Sequence, residues 1–305
     1  MENHIASYDL IIVGAGPAGL TAAIYALRAG KTVLLLEANT YGGQIVNTPD
    51  IENYPGIAHV SGYDFATGLY EQAKALGAEL KFKKVLAVED HGEVKIVKTR
   101  KQDFTTKAVI LATGAKNRHL GLDREEELTG AGVSYCATCD GSFFKGMDVA
   151  VNGGGNTALE DAMYLSDICN KVYLIHRRNE FRGDISTVEK LRAKENVEFI
   201  LNSTVIALNG DRRLESIEVM DKESGKTTEI EVAALFVAVG QEPGNEPFVN
   251  VVDLSQGYIE AGEDCHTKTQ GIYTAGDCRT KSVRQLTTAA ADGAVAALAA
   301  CAEMA

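Results

Sequence analysis

Cys136 and Cys139 stand three residues apart in Cys136-Ala137-Thr138-Cys139-Asp140. At that spacing two thiols can close a small, reducible disulfide, and the thiolate of such a pair is a nucleophile. Asp140, next in line, can move the protons that dithiol chemistry releases and takes up. It is equally a favoured helix N-cap residue, and the two roles are compatible. Two other readings of the pair stay open: a structural disulfide and half of a zinc site. Zinc would need two more ligands at suitable spacing, and the sequence has no second CxxC and no HxxxH. Cys169, Cys265, Cys278 and Cys301 are scattered; Cys169 lies in a helical pattern and reads as a packing cysteine, while Cys278 adjoins Asp277. Six cysteines in 305 residues are too sparse for a disulfide scaffold, so the close pair is the working one in a reducing compartment.

A dithiol switch needs a source of electrons, and the sequence offers two places to hold a donor. Tyr8 to Val13 is an apolar run ending in Gly14-Ala15-Gly16-Pro17-Ala18-Gly19. A small-residue helical pattern follows, Gly30 stops it, and Lys31 to Glu37 reads as a strand closed by an acid. This is the order of a dinucleotide-binding βαβ unit. The first glycine allows the tight turn, the second admits a pyrophosphate, and the third lets helix and sheet pack closely. The helix N-terminus adds N–H donors and positive potential. Glu37, about 20 residues after Gly16, can accept from ribose hydroxyls and would repel a 2′-phosphate, which suits FAD or NAD.

The same order recurs. Met147 to Asn152 reads as a strand before Gly153-Gly154-Gly155-Asn156-Thr157-Ala158, then come a helical pattern to Ile168 and a strand from Lys171 to Ile175. Here the closing residues are His176-Arg177-Arg178, with Arg182 beyond. Guanidinium groups at that place favour the 2′-phosphate of NADP; the other reading is a solvated basic turn.

Length and composition fit two soluble domains of α/β type. Apolar residues make up 45% and charged residues 24% of the chain. A net charge of −12 argues against nucleic acid or an anionic membrane as the principal partner. No run of about 18 apolar residues stands out, and Met1 to Asp9 lacks the order of a signal peptide, so no membrane span and a cytoplasmic location are expected. Val109 to Gly114 and Leu235 to Gly240 are matching apolar strands ending in glycine, and they mark passages between domains. The expected organisation is a discontinuous domain, 1–117 with 247–305, and a continuous one, 118–246, inserted into it. Gly271 to Asp277 is a further strand and turn, followed by an alanine-rich helix from about Ser282 to Cys301.

Taken together, these motifs resemble the low-molecular-weight thioredoxin reductases over nearly the whole chain. The matching residues are Gly14 to Gly19, Gly42-Gly43-Gln44, Glu52-Asn53-Tyr54-Pro55-Gly56 and Ala112-Thr113-Gly114. Gly132 to Gly141, His176 to Arg182, Thr274 to Asp277 and Arg284-Gln285 complete the set. The resemblance implies a homodimeric flavoenzyme with two Rossmann-like domains, a three-layer FAD/NAD(P)-binding fold in which the NADPH domain is inserted into the FAD domain. It implies electron flow from NADPH to FAD, to the Cys136–Cys139 pair, to thioredoxin.

Carried over by position, Gly14, Gly16, Pro17, Ala18 and Gly19 hold the FAD pyrophosphate and Glu37 its ribose. Gly42, Gly43, Gln44, Asn53, Ala112, Thr113 and Gly114 complete the FAD site. Asp277 meets the ribityl–phosphate part, and Arg284, Gln285 and Leu286 lie by the ring. Gly155, Asn156, Thr157, His176, Arg177, Arg178 and Arg182 form the NADPH set. By the same resemblance Cys139 faces the flavin, Cys136 attacks thioredoxin, and Asp140 is the acid that protonates the departing thiolate.

The family also implies a rotation of the inserted domain, with hinges near Ala115 to His119 and Gly240 to Glu246. The sequence departs from the usual pattern at Asn152, where an aliphatic residue is common, and at Asn156, where many members carry an acid and where the amide can still cap the helix. Three alternatives remain: a ferredoxin-dependent relative, the flavoprotein of alkyl hydroperoxide reductase, and a non-enzymatic redox-sensing flavoprotein. The first lacks the arginines present here, and the second carries an extra N-terminal CxxC; the third would lose the dithiol or the arginines.

Overall fold

Alternating apolar residues in parallel strands build both halves of the molecule. A computed structural model describes residues 6–48 and 50–304. The expectation about the first residues falls mostly on positions 1–5, outside the described residues. The chain divides into two compact units, Met1–Lys116 with Glu242–Ala305, and Asn117–Gln241.

In the first unit β1 (Ala6–Val13), α1 (Pro17–Arg28) and β2 (Val33–Glu37) form the glycine-turn βαβ. They are followed by α2 (Gly62–Ala75), β3 (Glu79–Phe82), β4 (Val85–His91), β5 (Val94–Thr99) and β6 (Phe104–Leu111). The strand order is β3-β2-β1-β6-β5-β4. The strand β1 runs parallel to β2 and β6, with Leu10 opposite Val33 and Ala108. Successive side chains of a strand point to opposite faces. Accordingly Leu10 and Ile12 pack with α1, while Ile11 and Val13 pack with Val88, Val97 and Phe248 on the other side. The sheet is therefore buried on both faces, which explains the unbroken run Leu10-Ile11-Ile12-Val13.

In the second unit α3 (Glu125–Leu128) leads into β8 (Val133–Ser134), and α4 (Ala137–Asp140) lies between β8 and β9 (Asp148–Gly153), two strands of a five-stranded sheet. Then come α5 (Asn156–Ile168), β10 (Lys171–Ile175), α6 (Ile185–Arg192), β11 (Val197–Ile200) and the antiparallel β12 (Ser203–Asn209), β13 (Ser216–Asp221) and β14 (Thr227–Glu231). The strand β15 (Ala234–Ala238) returns to the sheet, whose order is β11-β10-β9-β15-β8. Val149 and Val151 face α5; Ala150 faces the layer that contains Val205, Ile217 and Val219 of β12 and β13. Each unit thus has helices on one face of a parallel sheet and antiparallel strands on the other. Both are Rossmann-like.

Where the chain passes between units, β7 (Ala115–Asn117) pairs with β16 (Gln241–Pro243). The second passage comes earlier than the expected boundary after Glu246. Asn245 explains why: it is fully buried in the first unit, bonded to Thr113, Gly257 and Cys278.

The short β17 (Leu254–Ser255) and β18 (Tyr258–Ile259) precede β19 (Ile272–Thr274), which pairs with the second half of β6. The last helix, α7, spans Leu286–Glu303 rather than starting near Ser282. Gln285 and Thr288 form a reciprocal capping box there, which fixes the start. By length and composition alone α7 could cross a membrane. Its buried residues, Ala289, Asp292, Gly293, Ala296, Ala297 and Ala300, recur at helical spacing, and the alanines belong to the core cluster shared with α1.

Candidate active site

Cys136 and Cys139 form a disulfide with Cα atoms 5.3 Å apart. The pair follows β8, the edge strand of the second sheet, and Cys136 is the N-cap residue of α4. Ser134 organises this turn: its hydroxyl donates to Asp140 Oδ2 at 2.6 Å and accepts the Cys136 N–H at 3.1 Å. Asp140 precedes a 3₁₀ turn but makes no side-chain cap bond to it, so the cap reading of Asp140 does not hold. Burial pushes the Asp140 carboxyl above its usual range, against the hydrogen bond from Ser134. A carboxyl so placed holds a proton more readily than an ordinary aspartate. Cys169 lies just past the end of α5, buried, with its thiol pushed up to about 11 by burial. Cys265 and Cys278 are also buried and free.

Upstream of the pair, Glu125 accepts N–H bonds from Leu120 and Gly121, each at 2.8 Å. It also accepts the Tyr135 hydroxyl at 2.8 Å, which His119 approaches at 2.9 Å. Burial alone would raise the Glu125 carboxyl, yet these bonds outweigh it and hold the group below its usual range. The network anchors the residue immediately before Cys136.

The first glycine turn is tied from several sides. Gly14 has φ +106°, and a Cβ there would collide with the Ala112 carbonyl. Gly16 is the N-cap of α1, with Pro17 at the first helical position and no side chain capping the end. The α1 N-terminus therefore keeps N–H donors for an anion. Glu37 accepts from Ala15 N–H and Asn39 N–H, both at 2.9 Å, so it braces the turn as well as closing β2. Gly42 N–H donates to the Ala15 carbonyl at 2.7 Å, which brings Gly42 and Gly43 to the turn.

Gln44 donates to the Ala115 carbonyl, and Asn53 to Gln285 at 3.4 Å. Thr113, between Ala112 and Gly114, donates to Asn245 at 2.9 Å. Asp277 is the exception among these bonded groups. Its Oδ1 is buried with no partner, and burial raises its carboxyl despite Lys281 and Arg284 nearby. Arg284 is otherwise engaged, bonded to the Asp277 carbonyl and seated 4.1 Å over the Tyr258 ring. Leu286 opens α7 beside the capping Gln285.

Beneath Asp277 lies a cluster that sequence reasoning missed. Asp292 of α7 accepts from Arg279 Nε and Lys281 Nζ at 2.8 Å and from Gly276 N–H at 2.9 Å. All three charged side chains are buried. A lone acid inside an alanine-rich apolar helix was the available signal.

The second turn differs. Gly155 is the N-cap of α5 with no side-chain cap, and a Cβ there would meet open space. Thr157 sits in the first turn of α5. Asn156 does not cap the helix; its Oδ1 accepts the Asp184 N–H at 2.8 Å. Arg177, Arg178 and Arg182 are exposed, and among the described residues none of the three has an ion-pair partner. His176 is buried instead, stacked on Phe181 with ring centroids 5.1 Å apart.

The family described as Pyridine nucleotide-disulphide oxidoreductase matches residues 8–293. The thioredoxin reductase of Peptoclostridium acidaminophilum is 42% identical over 305 residues, covering 97% of this chain and 96% of the relative. That of Bacillus subtilis (strain 168) is 40% identical over 292 residues, covering 95% and 92%. The chain belongs to the thioredoxin reductase family. The crystal structure of thioredoxin reductase from Streptococcus pyogenes MGAS5005 superposes with a TM-score of 0.92 at 38% identity, covering 98% of this chain and 99% of that one.

Membership in the thioredoxin reductase family brings flavin and nicotinamide chemistry and a redox-active disulfide. The first turn fits a flavin dinucleotide: a glycine cradle, an uncapped helix N-terminus and the unpartnered Asp277 oxygen all lie in one unit.

Proposed function

We propose that this chain is a thioredoxin-disulfide reductase that passes electrons from NADPH through FAD and the Cys136–Cys139 pair to oxidised thioredoxin. The observation that carries the reading is the disulfide at the end of β8, in the same sheet as a glycine turn flanked by three exposed guanidiniums. When bound, FAD accepts a hydride from the nicotinamide and supplies an electron pair to the disulfide.

The chain's own residues do the rest. Gly14, Gly16 and the α1 N-terminus bind the FAD pyrophosphate, Glu37 orients the ribose, and Asp277 accepts from a ribityl hydroxyl. Arg177, Arg178 and Arg182 bind the 2′-phosphate of NADPH. Cys136 is the thiolate that attacks the thioredoxin disulfide, and Cys139 then displaces reduced thioredoxin as its own disulfide with Cys136 re-forms. Asp140 holds the proton for the departing thiolate, a role its raised carboxyl supports.

A second copy of the chain completes the assembly in this reading. The outward residues Thr287, Ala291, Val295 and Leu298 of α7 carry no charge, beside exposed Tyr25 of α1, and such a face suits a homodimer. Free, mostly buried cysteines outside the pair suit a reducing compartment, here the cytoplasm.

The test is stopped-flow reduction by NADPH, NADH and reduced ferredoxin in parallel, followed by turnover with thioredoxin. Fast flavin bleaching by NADPH and steady thioredoxin reduction are expected. In Cys139→Ser, flavin bleaching should persist while thioredoxin turnover falls at least ~1,000-fold. Bleaching by NADH or ferredoxin alone would overturn the donor assignment.

A further inference from the structure

Gly154 occupies the variable place of its turn, between the two glycines that the G-x-G pattern requires. Nothing in pyrophosphate binding calls for glycine at that position. Its backbone is not in the left-handed region either, so no positive φ calls for glycine there. What fills the space is His176: a Cβ on Gly154 would collide with the imidazole ring, most closely at Cε1.

Two further bonds fasten the same loop to the same turn. Arg182 N–H donates to the Gly154 carbonyl at 2.8 Å, and Asp184 N–H donates to Asn156 Oδ1 at 2.8 Å. The imidazole is pinned in turn: Phe181 stacks on it, and His176 Nε2 lies 3.1 Å from the Glu180 carbonyl. A carbonyl only accepts, so Nε2 carries the proton.

We propose that His176 is a positioning residue rather than a phosphate ligand: wedged under Gly154, it docks the segment bearing Arg177, Arg178 and Arg182 onto the glycine turn and thereby sets the preference for a 2′-phosphorylated nucleotide. Burial holds the imidazole below its usual range, and the three neighbouring arginines add to that effect against the Glu180 bond. His176 therefore contributes no charge to a phosphate near pH 7. The arginines, exposed at the surface, supply the charge, and His176 with Asn156 supplies the geometry. This account explains why the turn reads Gly153-Gly154-Gly155, and why an amide serves at Asn156.

The proposal rests on the NADPH reading above, and the experiment separates the two. Calorimetric binding of adenosine 2′,5′-bisphosphate and of 5′-AMP is measured on the full chain with its flavin, for the wild type, Gly154→Ala, His176→Ala and the double variant. The wild type should favour the 2′,5′-bisphosphate; equal binding of both probes would overturn the NADPH reading and this proposal with it. Gly154→Ala, whose new methyl meets the ring, should weaken the bisphosphate roughly tenfold while changing 5′-AMP no more than about twofold.

The double variant removes what the methyl strikes and should regain part of that loss. No regain, or equal weakening of both probes, would overturn the positioning role while leaving the NADPH reading intact. Should Gly154→Ala fail to fold, His176→Ala decides alone. It should lower the ratio of the two affinities several-fold, and an unchanged ratio overturns the proposal.

Discussion

The two glycine turns share one backbone plan, yet the first is enclosed and the second is open. Around Gly14 to Gly19 the chain closes in from four sides: the Ala112 carbonyl, the Glu37 carboxylate, Gly42 with Gly43, and the Gly276–Asp277 turn held by Asp292. Around Gly153 to Asn156 the Ala238 carbonyl closes on Gly153 as Ala112 does on Gly14, but beyond it the cover is the arginine loop, and Gly155 looks onto open space. An enclosed site suits a group that stays, and an open one suits a nucleotide that comes and goes at each turnover. The βαβ order fixes the pyrophosphate place in both; what returns to cover the turn decides residence.

The sharpest way to break this comparison is to add one methyl where the first turn is most tightly covered and one where the second is open. Gly14→Ala combines a positive φ with a backbone collision, and we expect at least ~3 kcal/mol of lost stability and protein isolated without flavin absorbance. Gly155→Ala should fold with its flavin and change only nucleotide half-saturation, by about threefold to tenfold. Equal damage from both, read by urea unfolding and flavin content, would end the enclosed-versus-open distinction.

Two acids on helices, one in each unit, extend the contrast. For Asp292, burial alone would raise the carboxyl, but Arg279 and Lys281 outweigh it and hold the group below its usual range. Its contribution is present above the unfolded value of 3.8 and is lost as pH falls through the depressed folded value. Asp292→Asn should therefore cost about 3 kcal/mol at pH 7, with the difference shrinking in acid.

Asp161 on α5 behaves oppositely: burial, with Glu160 adding, pushes its carboxyl up to about 7. The folded state keeps a proton that the unfolded chain releases, so stability falls as pH rises from about 4 through about 7. Asp161→Asn should stabilise the protein by roughly 1–2 kcal/mol at pH 8 and not at all below pH 4, by urea unfolding across pH.

The smallest expected effect concerns Glu37. Glu37→Gln keeps an oxygen for Ala15 N–H, and we expect less than about 1 kcal/mol of stability change and a modest loss of flavin affinity, by flavin titration of apoprotein.

Much of this was legible in the sequence because it is local. Unbroken apolar strands, glycine turns and the CxxC each lie within a few consecutive residues, and the signals at Glu37 and at Arg177 and Arg178 follow at a set distance. What stayed hidden depends on partners far apart in the chain. Asn245 bonds residues near 113, 257 and 278, and its local sequence looks like an ordinary turn. The antiparallel layers, β4 with β5 and β12 to β14, were unread because their strands are half-exposed and charged residues interrupt them. The sequence places His176 in the NADPH set; the closeness of its ring to Gly154, on which the positioning proposal rests, is a fact that sequence does not carry.

One strand has a consequence for how the molecule is made. The β6 strand pairs along its second half with β19, and the Leu111 carbonyl accepts from Thr274, 163 residues downstream. On the ribosome, the whole second unit emerges and can fold before that partner exists. At about 5–20 residues per second, the first sheet waits roughly 8–30 s for its closing strand. Asp277 and α7 follow later still, so the Asp277 turn can join the first glycine turn only after the whole second unit has been made.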